Sequence, residues 1–184
     1  MLMMDGGAAQ LRFAHRRLHE WPPEGGVSTW CRSIPLDSAG PPLAQSEALL
    51  RALDWSGPAM VEYRYDPATG RSWLMEVNGR FWGSLPLAYH ARHDFAWASY
   101  CAALPRAGAP DQPAYRRIDA RFMIPETRRL FHILRHGGAE GRMRALFSYL
   151  WGFLDWRMRY YVWALDDPAP LLRDVWTVVS RRGR

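Results

Sequence analysis

An α+β fold is predicted, with an antiparallel sheet covered by helices and followed by a mostly helical tail. Three observations lead there. Two strand-like runs, "AMVEYRYD" and "RSWLMEVN", are joined by "PATG", whose proline and glycine mark a hairpin. Strand-like and helix-like patterns follow one another as β-β-α-β-β-α, not as the strict alternation of a parallel α/β fold. The proline-rich stretch "PRAGAPDQP" then separates a first part, residues 1–104, from a helical extension, residues 105–184. With 184 residues, 48% of them hydrophobic, the chain can bury a core.

The elements are predicted in order. "AAQLRFAHRR" alternates, with Leu11 and Phe13 on one side, and reads as a strand. "WPPEGG" breaks it, and "VSTWCRSI", rich in β-branched and aromatic residues, is a second strand. "LAQSEALLRAL" places Leu43, Leu49, Leu50 and Leu53 at helical spacing. After the hairpin, "SLPLAYHARH" and "DFAWASYCAAL" are helical, the first with Ser84 as its N-cap. Cys101 is read as inert core, and His90, His93, His132 and His136 as solvent-facing or capping residues without metal-like company.

Charge and cysteine content exclude several classes. The net charge is +6, and because the chain contains no lysine, all 24 basic residues are arginine. They are scattered, with no zinc-finger, helix-turn-helix or aromatic RNA-reading pattern, so no nucleic-acid partner is expected. Two cysteines make no disulfide framework, no secretory signal peptide is expected, and the uncharged run Ala145–Leu154 is too short to span a bilayer. A cytoplasmic location is the expectation.

The stretch "LMEVNGRFWGS" carries the chemistry. Alternate strand residues share a face, so Glu76, Asn78 and Arg80 project together, as do Glu62 and Arg64 on the preceding run. With matching hairpin parity, Glu62 falls opposite Glu76. Facing carboxylates repel unless a cation offsets them. Two carboxylates and an amide oxygen are hard ligands suited to magnesium, and Arg80 is placed to hold a phosphoryl oxygen. A solvated sheet face with arginines pairing the glutamates is the competing explanation. The glycine and serine that open a helix directly afterwards favour an anion site instead.

The stretch "GPAMVEYRYDPATGRSWLMEVNGRFWGSLPLA" resembles the final part of the ATP-grasp domain of carboxylate–amine ligases, in the carbamoyl-phosphate-synthetase-like branch. The resemblance is specific over residues 57–95. It implies that residues 1–104 form the C-terminal lobe of that fold. Glu62, Glu76 and Asn78 would then hold the magnesium of Mg-ATP, and Arg80 would contact the phosphates. The weaker match "HRRLHEWPPEGG" resembles the strand and loop bordering the nucleotide; Arg16 would contact the cofactor and Arg17 would stabilise charge during phosphoryl transfer. A basic edge strand that discourages pairing is the alternative there.

The implied activity is ATP-dependent joining of a small carboxylate to an amine, or to a thiol, through an acyl phosphate. In that family a preceding lobe supplies lysines to the phosphates and a hinge to the adenine. Lacking lysine, the chain reads as the C-terminal portion of a longer enzyme, inactive without that lobe. A non-catalytic remnant or partner-binding module is the alternative, and a basic surface-binding module a more distant one.

The tail holds "ETRRLFHILR", with Leu130, Phe131 and Leu134 on one side and arginines on the other, and the aromatic-rich "MRALFSYLWGFLDWRMRYYVWAL". Packing on the rest of the protein is expected of such aromatic stripes, with weak contact to an anionic lipid surface as the alternative.

Overall fold

The computed structural model describes residues 1–104 and 114–181, so the linker "PRAGAPDQP" lies outside the described residues. The fold is α+β, with two four-stranded sheets. The chain divides into two compact units. One comprises residues 1–16 and 33–117, the other residues 17–32 and 118–184. Residues 17–32, from the two early strands, thus group with the C-terminal residues.

The sheet of the first unit has the order β2-β1-β5-β6, every pair antiparallel. Its strands are β1 (Leu2–Asp5), β2 (Ala8–Arg12), β5 (Gly57–Tyr65) and β6 (Ser72–Asn78). β1, absent from the sequence-based order, lies between β2 and β5 and buries Leu2, Met3 and Met4. A central strand covered on both faces has no polar alternation to reveal it. β1 turns into β2 through Gly6 and Gly7, whose φ values of 55° and 74° are those of the two-residue turn that matches strand twist.

Helices pack on this sheet. Leu50 of α1 (Pro41–Ala52) joins Leu2, Met4, Ala9 and Ala59 in one core cluster. α3 (Phe95–Ala103) packs against β1, β2 and β5, with its Ser99 hydroxyl donating to the Met3 sulfur. Because Met3 alternates with Leu2 and Met4, α1 and α3 cover opposite faces. The Asp94 carboxylate accepts the Trp97 N–H at 2.9 Å and caps α3. Ser84 precedes α2 (Leu85–His90) but makes no side-chain cap bond. Its hydroxyl lies 3.4 Å from His15 Nε2 instead.

The second sheet has the order β3-β4-β7-β8. It contains β3 (Ala14–Trp21), β4 (Val27–Ile34), β7 (Asp119–Arg121) and β8 (Met158–Tyr160). β4 and β7 are antiparallel, whereas β7 and β8 are parallel. Within the second unit, α4 (Met123–His136) packs on α5 (Arg142–Trp151) through Leu130, Ile133 and Ala145. α6 (Ala169–Arg181) ends the described chain.

Two expectations for α4 change. Phe131 is exposed, and Arg129 is buried, paired with Glu140 at 2.7 Å. The apolar stripe is therefore centred on Leu130 and Ile133, and Arg129 is admitted to the interior by its carboxylate partner.

Candidate functional site

The β5–β6 register places Glu62 opposite Glu76 and Met60 opposite Asn78. Strand alternation then puts Glu62, Glu76 and Asn78 on one sheet face. This facing is reached through an irregularity. Tyr65 pairs with Ser72, and the register shifts between Glu62 and Tyr63, leaving Met75 without a cross-strand partner. A bulge of this kind re-aims the strand residues beside it.

The hairpin turn is held by Asp66, which accepts the Ala68 N–H at 2.9 Å and the Thr69 hydroxyl at 2.7 Å. These bonds keep the Asp66 carboxyl below its usual range, the Thr69 hydroxyl contributing most. The strand exit is fixed by packing. A Cβ on Gly79 would lie 2.4 Å from the Trp55 ring, so only glycine lets the backbone between Asn78 and Arg80 approach that indole.

Asn78 Nδ2 donates to Glu76 Oε1 at 2.6 Å, which orients both side chains. The Arg80 guanidinium donates to the Phe81 carbonyl at 3.0 Å, a neighbour in sequence, and is otherwise at the surface. Arg16 stacks over the Tyr65 ring at 5.5 Å, which brings it to the turn end of β5. Arg17 belongs to the other unit, where it donates to Glu20 at 3.0 Å and to the Gly26 carbonyl at 3.4 Å. Glu62, Glu76 and Asn78 are thus carried by one hairpin, with Arg80 two residues past the end of β6, whereas Arg16 comes from β3 of the other sheet and reaches the hairpin through Tyr65.

The donor set is chemically apt for a hard cation: two carboxylates, one of them half-buried, and an amide oxygen. Among the described residues, no group of three or more His, Cys, Asp and Glu side chains could hold a metal. A cation on the hairpin would therefore take its remaining ligands from water, phosphate or other polypeptide.

Two groups of buried polar residues in the second unit were not singled out in the sequence. Asp119 receives both Nε and NH2 of Arg32, at 2.7 and 2.8 Å, and the Trp30 indole N–H at 2.8 Å. Glu126, buried, is bonded to His19 at 2.7 Å and accepts the Thr29 hydroxyl. Burial pushes its carboxyl up, but those bonds and the His19 and Arg129 charges outweigh burial and hold it below the ordinary range. Glu126 lies in the first turn of α4, where a carboxylate reads as an ordinary helix-start residue.

His93 is a correction to the expectation of a solvent-facing ring. It is 1% exposed, packed between Phe13 and Tyr115 at 5.9 and 4.9 Å. No family model matches the chain, and neither a curated protein nor a solved structure does.

Proposed function

We propose that the β5–β6 hairpin is the metal-side face of a nucleotide site of the ATP-grasp kind, and that the chain is part of an ATP-dependent carboxylate–amine or carboxylate–thiol ligase. One observation carries the reading: Glu62 faces Glu76 across the ladder with Asn78 next on the same face. Facing carboxylates favour a positive charge between them, and this pair sits beside an amide and an arginine.

In this reading Glu62, Glu76 and Asn78 hold magnesium, and Arg80 and Arg16 approach the phosphates. Magnesium, when bound, neutralises charge on the phosphoryl oxygens. The chain's own residues orient. The Asn78–Glu76 bond presets the carboxylate, and Gly79 against Trp55 fixes where Arg80 leaves the strand. The competing reading, a partner-binding module without nucleotide chemistry, is favoured by the exposed Leu74, Met75 and Val77 of β6.

Manganese, which reports its own binding magnetically, separates the two. The full chain should bind one Mn2+ in competition with Mg2+, and Glu62→Gln or Glu76→Gln should each weaken that binding about tenfold or more, at least the loss that follows removal of a residue supporting a metal ligand. Unchanged Mn2+ binding in both variants, with folding intact by circular dichroism, would leave the partner-binding module as the better account.

A further inference from the structure

α5 is apolar on two sides, and only one is covered. Ala145, Leu146 and Tyr149 pack with Leu130, Ile133 and Leu134 of α4. Met143, Phe147, Leu150 and Trp151 recur at helical spacing along the other side, and Leu154 and Trp156 follow past its end. All six are between 51 and 77% exposed. A contiguous exposed stripe of this kind marks a binding surface on a folded protein.

The exposed charged side chains of residues 141–160 are all arginines. Arg142 and Arg144 open α5 and are exposed. Arg157 is exposed too, with its guanidinium 5.2 Å from the Trp156 ring. The one acid in residues 141–160, Asp155, is half-buried and accepts the Arg157 backbone N–H at 2.9 Å. Aromatic and aliphatic side chains flanked by arginines match the acyl and headgroup layers of an anionic bilayer surface. A second copy of the same face would instead bring three arginines against three. No helix among the described residues is long and apolar enough to cross a membrane, so such contact would lie in the plane of the interface.

We infer that the exposed face of α5, with Trp156 and Arg157, docks the protein on an anionic lipid surface. This stands apart from the nucleotide reading and uses none of its residues.

Flotation of the full chain with vesicles tests it. At about 0.05 M salt, where the Debye length is well above that in physiological buffer, the chain should partition onto phosphatidylcholine vesicles containing phosphatidylglycerol at least about tenfold more than onto pure phosphatidylcholine. Replacing Arg142, Arg144 and Arg157 by Gln should cost about fivefold per arginine. The pair Phe147→Ser and Trp151→Ser should cost about tenfold or more while leaving the circular dichroism unchanged, since both side chains are exposed. Equal partition onto both vesicle types, no partition at all, or variants that float like the parent would overturn the inference. So would light scattering that shows a homodimer broken by Trp151→Ser, which would assign the stripe to a second copy.

Discussion

Arg121 has no exposed surface, yet it carries a guanidinium. Its Cζ lies 4.6 Å from the Trp30 ring centre and 5.1 and 5.5 Å from those of Tyr149 and Phe153, and its NH1 donates to the Tyr149 carbonyl at 3.0 Å. Burial lowers its proton affinity, opposed by the charges of Glu126 and Asp119. The box closes because residue 152 is glycine: a Cβ there would sit 1.8 Å from Arg121 NH2. Gly152 is in ordinary helical backbone, so Gly152→Ala is a purely steric test. It should destabilise the protein by about 1–3 kcal/mol, the range for overpacking, as read by denaturant unfolding. His93 supplies a pH test. Burial holds its imidazolium below the usual range, and the Arg92 backbone offsets this only in part. The unfolded chain, with a histidine pKa of about 6.5, then binds more protons than the folded one as pH falls below that value. Stability from a neutral His93 is present above that pH and lost on going below it. The melting temperature of the parent should fall more between pH 7.5 and 5.5 than that of His93→Phe, which keeps a ring against Phe13 and Tyr115.

At the scale of elements, the hairpin β5–β6 combines opposed requirements. It forms because β-branched and aromatic residues alternate on both runs and Asp66 closes the turn. Its register nonetheless sets Glu62 against Glu76, and like charges directly opposite one another weaken a sheet. Glu76→Gln should therefore raise the melting temperature slightly in chelator, by up to about 1 kcal/mol in stability. In millimolar Mg2+ the advantage should shrink or reverse, because ligand binding to the folded state stabilises the parent alone. Differential scanning calorimetry with and without Mg2+ reads both. An advantage that magnesium leaves untouched would mark the pair as ordinary surface repulsion.

On the whole-molecule scale, the proposed nucleotide face is open. Trp73, Leu74 and Met75 of the edge strand β6 are about half exposed, and the chain has no lysine to meet phosphates from the opposite side. A nucleotide resting on one hairpin keeps its phosphates solvated and gains little preorganisation. The chain by itself should bind Mg-ATP no more tightly than the millimolar range and should release no phosphate with any small carboxylate and amine. Calorimetry and a phosphate-release assay check both. Micromolar binding would show that arginines of this chain complete the site. The charge is also unevenly spread: residues 118–184 hold twelve arginines and seven acids, so surface contacts with anions are expected of the second unit more than of the first.

The hairpin, its turn, α1, α3 and the facing of Glu62 with Glu76 were legible in the sequence, because period-two and helical patterns and turn residues are local signals. The facing was legible only in outcome, since the bulge at Met75 that sets the actual register leaves no mark on alternation. β1 was not legible, because a four-residue apolar run has no period and becomes a strand only by pairing with both β2 and β5. The buried charges were hidden for a similar reason. Nothing local marks Arg121, Arg129 and Glu126 for the interior, where Tyr149, Glu140 and Thr29, each well separated in the chain, meet them. Composition and local pattern settled the hairpin, α1 and α3. Only tertiary structure decided which charges go inside and that the apolar side of α5 stays out, because burial depends on what each face meets, and a residue's own type does not record that.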